Sequence, residues 1–169
     1  GNAGTAVSAT TNASIVTFDK TIPVFSSVLP LSSSFIHSVT SSSNVSYTLS
    51  EDIASGVITI HRTGGSSDPG TKTCNLTAPA RSSGVHTNLD LSANCDVSPV
   101  LVNGAEYTFT FDGTDAAGNA ATTITRTVVT YDNIAPTITV PTPTASSTIN
   151  DVTTAASDIS FSFNEAVSS

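Results

Sequence analysis

Basic residues are the scarcest resource of this chain: five Lys and Arg stand against 13 Asp and Glu in 169 residues, for a formal charge of −8 and a pI near 4.4. Nucleic-acid phosphates call for Lys and Arg in number, so the charge balance argues against a nucleic-acid partner. An acidic face is repelled by anionic membranes and attracts cations instead. No apolar run approaches the length of a membrane span, which argues against membrane insertion in this window. No leader pattern of charge followed by an apolar stretch occurs, and any export signal or anchor is expected outside these residues. Tryptophan is absent. So are a Gly-x-Ser-x-Gly elbow, a His-Glu-x-x-His helix and a phosphate-binding Gly-Lys-Ser/Thr loop. His37, His61 and His86 are scattered, and no nucleophile stands beside a base. The expectation is a protein that is not an enzyme.

What is present points to strands. Ser and Thr supply about a third of the chain, and apolar residues 38%, too many for disorder by low hydrophobicity. Abundant Thr, Val and Ser suits sheets with one wet face. No apolar i, i+3, i+4 pattern holds for three turns, so no long helix is expected. Alternation is clear instead. Val45, Tyr47 and Leu49 share one face, Ile58 and Ile60 mark the next strand, and Tyr107, Phe109 and Phe111 alternate with Thr108 and Thr110. Thr122 to Thr130 supplies the partner of that last strand, through a turn-rich loop from Asp112 to Asn119. Ser66 to Gly70 breaks the middle, and Leu76 and the pair Leu89 and Leu91 predict two shorter strands. The sum is an all-β, two-sheet sandwich of about seven strands. Leu101-x-x-Gly104-x-x-Tyr107 fits a tyrosine corner, in which the hydroxyl ties down the crossing loop; the alternative is a plain core tyrosine.

The chain repeats itself. Val16-Thr17-Phe18-Asp19-Lys20-Thr21-Ile22-Pro23 returns as Val129-Thr130-Tyr131-Asp132-Asn133-Ile134-Ala135-Pro136, and Asn44 to Glu51 returns as Asp158 to Glu165. Gly1-Asn2-Ala3 matches Gly118-Asn119-Ala120. A period of about 113 residues is of domain size and reads as tandem similar domains. The expected division is 1–19 as the last strand of a preceding repeat, 20–133 as a complete domain, and 134–169 as the first strands of a following one. On this reading the chain is a window onto a longer array.

The run from Leu101 to Pro136, with Tyr107-Thr108-Phe109-Thr110-Phe111-Asp112-Gly113 and Tyr131-Asp132-Asn133-Ile134-Ala135-Pro136, resembles the repeated bacterial immunoglobulin-like (or fibronectin type III-like) domains of large secreted or surface proteins. Tyr47 to Glu51 and Gly56 to Gly65 look like earlier strands of the same module. The resemblance implies an immunoglobulin-like β-sandwich in a tandem array, serving as an extracellular spacer or stalk of an adhesin-like protein. Its partners would be neighbouring repeats.

Calcium is the one cofactor the residues raise. A seven-strand sandwich could gather Asp19 from the linker, Glu51 and Asp52 from the end of the second strand, and Asp112 and Asp115 from the last hairpin. Such hard oxygen donors suit calcium. Asp132 and Glu165 form the corresponding pair at the next junction, and Tyr131 to Pro136 is similar to the Asp-Asn-Ala-Pro linker of cadherin repeats. The alternative is that each Asp or Asn bonds its own turn; Lys20 replaces the second linker acid or amide at the first junction. Cys74 and Cys95 lack metal-ligand spacing and read as a disulfide of an oxidising compartment, or as two packed thiols.

Asn12, Asn44 and Asn75 head Asn-x-Ser/Thr triplets, which arise readily by chance in so Ser- and Thr-rich a chain. Ser32–Ser34 and Ser41–Ser43 offer hydroxyls for O-glycans on equally slight grounds. Two further functions stay open. Unpaired strands at both ends would allow self-assembly into an extracellular filament or sheath by inter-chain strand complementation. A carbohydrate-binding module would need exposed rings, for which Phe25 and Phe35 are the candidates.

Overall fold

The computed structural model describes residues 17–146, 148–150 and 159–165. The echo at residues 1–3, the strand pattern of residues 1–16, Asn12 and Asp158 lie outside the described residues.

The described residues form ten strands and one helical turn: β1 Phe25–Leu29, β2 Phe35–Ile36, β3 Ser46–Leu49, β4 Ser55–Gly65, β5 Thr71–Asn75, β6 Gly84–His86, α1 Leu91–Asn94, β7 Ala105–Thr114, β8 Ile124–Tyr131, β9 Ile138–Thr142 and β10 Ser160–Phe163. Strand β7 sets the pattern. Its alternate residues, from Ala105 through Tyr107, Phe109 and Phe111 to Gly113, are buried, and those between are half-buried. That is the period-two signature of a strand with one face inward. Antiparallel β4 brings Ile58 opposite Phe111 and Ile60 opposite Phe109, and β5 adds Cys74 opposite Ile58. A five-stranded sheet results, in the order β2-β8-β7-β4-β5, faced by a three-stranded sheet β1-β3-β6.

The core lies between these sheets. Phe25 from β1, Tyr47 from β3 and Phe111 from β7 meet edge-on or tilted, with ring centroids 5.3 to 6.4 Å apart. Each such ring taken fully out of water contributes about 1.5–3 kcal/mol, and edge contacts add to that. Tyr47 keeps its polar end satisfied by donating to the Ala80 carbonyl at 2.6 Å. Burial pushes its phenol far above the ordinary value.

Three expectations are corrected. Eight strands, where about seven were expected, fall between Phe25 and Tyr131; two-residue β2, parallel to β8, is the addition. Leu89 and Leu91 do not mark a strand: Asp90 caps a helical turn by accepting from Ser92 N at 2.8 Å, and Leu91 anchors that turn in the core. Leu76 forms a bridge to Cys95. The loop expected from Asp112 begins at Asp115, since β7 runs through Asp112, Gly113 and Thr114 in register with β4.

The sequence repeat is repeated in backbone pairing. Strand β1 pairs antiparallel with β3 through Phe25↔Leu49, Ser26↔Thr48 and Leu29↔Ser46, with a shift in between. Strand β9 pairs with β10 through Ile138↔Phe163, Thr139↔Ser162 and Thr142↔Ser160, with a shift at the same place. Adding 113 or 114 to each number of the first set yields the second. Both first strands also run into a cis X-Pro bond, Leu29-Pro30 and Thr142-Pro143. The β9–β10 pair leaves Ile138, Phe161 and Phe163 exposed, with the two phenylalanine rings edge to face at 5.5 Å.

Candidate functional site

Three chain segments converge where the chain enters the sandwich. Asp19 precedes β1, Glu51 follows β3, and Asp115 opens the β7–β8 loop; one carboxylate oxygen of each lies within 4.8 Å of the others. Asp115 is buried and heavily bonded. Its Oδ1 accepts from the amides of Ala117 and Asn119 at 2.9 and 2.8 Å, and its Oδ2 from the Asn119 side chain at 2.8 Å. The Asn119 side chain, foremost, and these loop amides hold the Asp115 carboxyl below its ordinary range. Asn119 also reaches the Asp19 carbonyl at 3.3 Å, linking the loop to the entering chain.

Glu51 behaves oppositely. It is half-buried, and its Oε1 is enclosed without a hydrogen-bond partner. Loss of water, then the charges of Asp19 and Asp115, pushes its carboxyl up. The Lys20 ammonium, next in the chain to Asp19, sits 5.6 Å from the Phe18 ring centroid.

Four other acids of the expected metal set fall elsewhere. Asp52, one residue past Glu51, accepts from Ser83 N at 2.6 Å. Asp112 sits on the outward face of β7 and takes the Thr123 hydroxyl. Neither belongs to the three-carboxylate group. Asp132 bonds Ile134 N at 3.1 Å, the turn chemistry raised as the alternative, and Asp19 does the same with Thr21 N at 2.9 Å. Glu165, the repeat counterpart of Glu51, likewise has an enclosed Oε1 with no partner.

At Tyr107 the hydroxyl accepts from Val102 N at 2.8 Å, five residues upstream, as a tyrosine corner requires. It also donates to Asp68 Oδ2 at 2.7 Å, a partner the sequence reading missed. Asp68 is buried, with Lys72 Nζ 2.7 Å from its other oxygen. Burial pushes the Asp68 carboxyl up, but the bonds from Lys72 and Tyr107 and the charges of Lys72 and Arg62 together bring it below its ordinary value. The Tyr107 phenol, buried and facing that carboxylate, is pushed up to about 12. A lone Asp before Pro69-Gly70, with Lys four residues on, was the available signal.

Cys74 and Cys95 form a disulfide, Cα atoms 5.0 Å apart. It ties β5 to the end of α1 and fits an oxidising compartment. Among the described residues, no helix is long and apolar enough to cross a membrane. The histidines stand apart: His61 meets Thr71 at 2.9 Å, His86 meets the Ser82 carbonyl at 2.8 Å, and His37 is exposed. Of the sequon asparagines, Asn44 accepts two loop amides at 2.9 and 3.2 Å, and the Asn75 side chain donates to Asp96 at 2.6 Å. Phe25 is a core residue and gives no sugar platform. Phe35 is exposed, beside a recess of about 170 Å³ lined with Leu29, Pro30 and Leu31. Compared with family models, curated proteins and solved structures, the chain matched none.

Proposed function

We propose that this chain is a non-catalytic extracellular structural module, an immunoglobulin-like sandwich repeated head to tail as the spacer or stalk of a bacterial surface protein. One observation carries the reading: the pairing register of β1 with β3 recurs, residue for residue, in β9 with β10. A second copy of the same two-strand opening, about 113 residues on, is what a tandem array needs. The strand orders β1-β3-β6 and β2-β8-β7-β4-β5 support the immunoglobulin-like topology, as does the tyrosine corner. The disulfide supports an exported location. Joining two and then three copies of residues 20–133 tests the reading. A rod-like spacer gains a constant increment in maximum dimension by solution scattering, whereas compact clumping of the copies would overturn it.

A filament subunit is the second reading, favoured by the exposed apolar face of β9 and β10. It requires concentration-dependent polymerisation that disappears when residues 1–15 are removed. A strictly monomeric chain at high concentration leaves the spacer.

Calcium at the junction belongs to the same proposal. Asp19, Glu51 and Asp115 would hold the ion, and the enclosed, unpartnered Oε1 of Glu51 is the feature it would satisfy. Asp132 and Glu165 would serve the next junction. All donors are hard oxygens, as calcium prefers, and an ion would offset the lost water and the repulsion from Asp19 and Asp115 that raise the Glu51 carboxyl. A thermal midpoint that does not move between chelator and millimolar calcium disposes of the ion.

A further inference from the structure

The chain leaves the sandwich at Tyr131, and the next three amides are all engaged. Asp132 N donates to the Ile36 carbonyl at 2.9 Å, Asn133 N to Asn103 Oδ1 at 2.9 Å, and Ile134 N to Asp132 Oδ1 at 3.1 Å. The first and last of these are ladder and turn bonds. The middle one is different, because its acceptor is a side chain thirty residues away.

Asn103 stands on a turn that is itself fastened from several sides. Val102 N donates to the Tyr107 hydroxyl at 2.8 Å, and Ala105 N to the Val102 carbonyl at 3.1 Å. Gly104 N reaches the Tyr131 carbonyl at 2.8 Å, and the Gly104 carbonyl takes Ser66 N at 2.9 Å. Gly104 has φ +74°, a left-handed conformation that glycine adopts without a Cβ penalty. Below the turn, Tyr107 is anchored on buried Asp68. The tyrosine corner is therefore the footing of a bracket whose outer arm is the Asn103 side chain.

We infer that Asn103 is a positioning residue: its side-chain carbonyl clamps the Asn133 amide and fixes the direction in which the chain departs toward the next repeat. Hinge motion then starts beyond Ile134, where Pro136 restricts the backbone further. A proline alone fixes one φ angle; the clamp joins the linker to the body of the sandwich. Its value to an array rests on the tandem reading above, but the clamp itself does not.

Amide hydrogen exchange and backbone 15N relaxation on the whole chain test this. Asn103→Ala removes the acceptor. Protection of the Asn133 amide should fall about two- to tenfold, the ratio set by one net hydrogen bond of ordinary strength. The heteronuclear NOE at Asn133 and Ile134 should fall with it, while amides at the centres of β4 and β7 keep their protection. Asn103→Asp retains a side-chain oxygen at the same reach and should preserve both readouts. Asn103→Ser, whose oxygen falls short, should behave as Ala. The inference is overturned if Ala leaves the Asn133 amide unchanged, or if Asp loses protection as fully as Ala. It is equally overturned if the loss spreads through β7, for Asn103 would then serve the fold and not the exit. Self-association of the chain would count against the spacer function and leave this measurement standing.

Discussion

Replacing Tyr107 by Phe keeps the buried ring and deletes one oxygen, which isolates the bond pair that holds the β7 approach. The hydroxyl gives a charge-assisted bond to Asp68 at 2.7 Å and receives one from Val102 N at 2.8 Å. The first class contributes about 1.5–3 kcal/mol and the second about 0.5–1.5 kcal/mol. Asp68 Oδ2 loses its donor in a buried place, so little of the loss is returned by water. The expected destabilisation at neutral pH is about 2–4 kcal/mol, or roughly 8–16 °C in midpoint for a sandwich of this size. The assay is urea unfolding followed by far-ultraviolet circular dichroism, at pH 7 and again in acid. The sign in acid follows from Asp68, whose folded carboxyl is held below its ordinary value. Its contribution is complete above the unfolded pKa of about 3.9 and is lost as pH falls through the folded one. The variant lacks one of the bonds that lower the carboxyl, so the gap between parent and variant should narrow below about pH 4. A Phe variant within about 0.5 kcal/mol of the parent at pH 7, or a gap that widens in acid, refutes the reasoning.

Removing the disulfide by Cys74→Ala with Cys95→Ala should cost about 3 kcal/mol, from the chain entropy of the loop that it closes; a reducing agent should lower the parent's urea midpoint comparably and leave the double variant untouched. Gly65→Ala should destabilise by about 2 kcal/mol or more, because Gly65 has φ +63° and an added Cβ would strike the Gly104 carbonyl oxygen; an unchanged thermal midpoint counts against that crowding. Glu51→Gln should raise the midpoint at pH 7 in chelator, since the Glu51 carboxyl is raised by burial and by Asp19 and Asp115. That gain should disappear on acidification as the parent's own carboxyl takes up its proton, the reverse of the Asp68 case. A variant less stable than the parent in chelator at pH 7 would show the charge to be satisfied.

The long strands could be read from the chain because burial there is periodic and nothing competes with it. Tyr107, Phe109 and Phe111 alternate with threonines and all three lie inside. Strand β2 could not, since two residues carry no period and Phe35 points outward. Leu91 misled for a related reason: one buried leucine anchors a helical turn as readily as a strand, and Asp90 decides by capping. The convergence of Asp19, Glu51 and Asp115 was legible from the expected topology, which puts those segments at one end. Its outliers were decided by single-residue geometry. Asp112 lies next to Phe111, and the pleat turns it to the opposite face; Asp52 turns from its neighbour to bond Ser83. Asp68 was hidden by distance, its tyrosine lying 39 residues further on. The repeat was legible as residue types, Asn44 to Glu51 returning as Asp158 to Glu165, but not the pairing of β9 with β10, whose register follows that of β1 with β3.

The Cys74–Cys95 bridge has a bearing on load. In a stalk pulled from both ends, the covalent path runs across the sulfur atoms and bypasses the residues between. A separation of 21 residues, otherwise able to stretch by about 70 Å, stays out of the extension. Each oxidised repeat would therefore lengthen less when torn open than its reduced form, and single-molecule stretching would read that missing length directly.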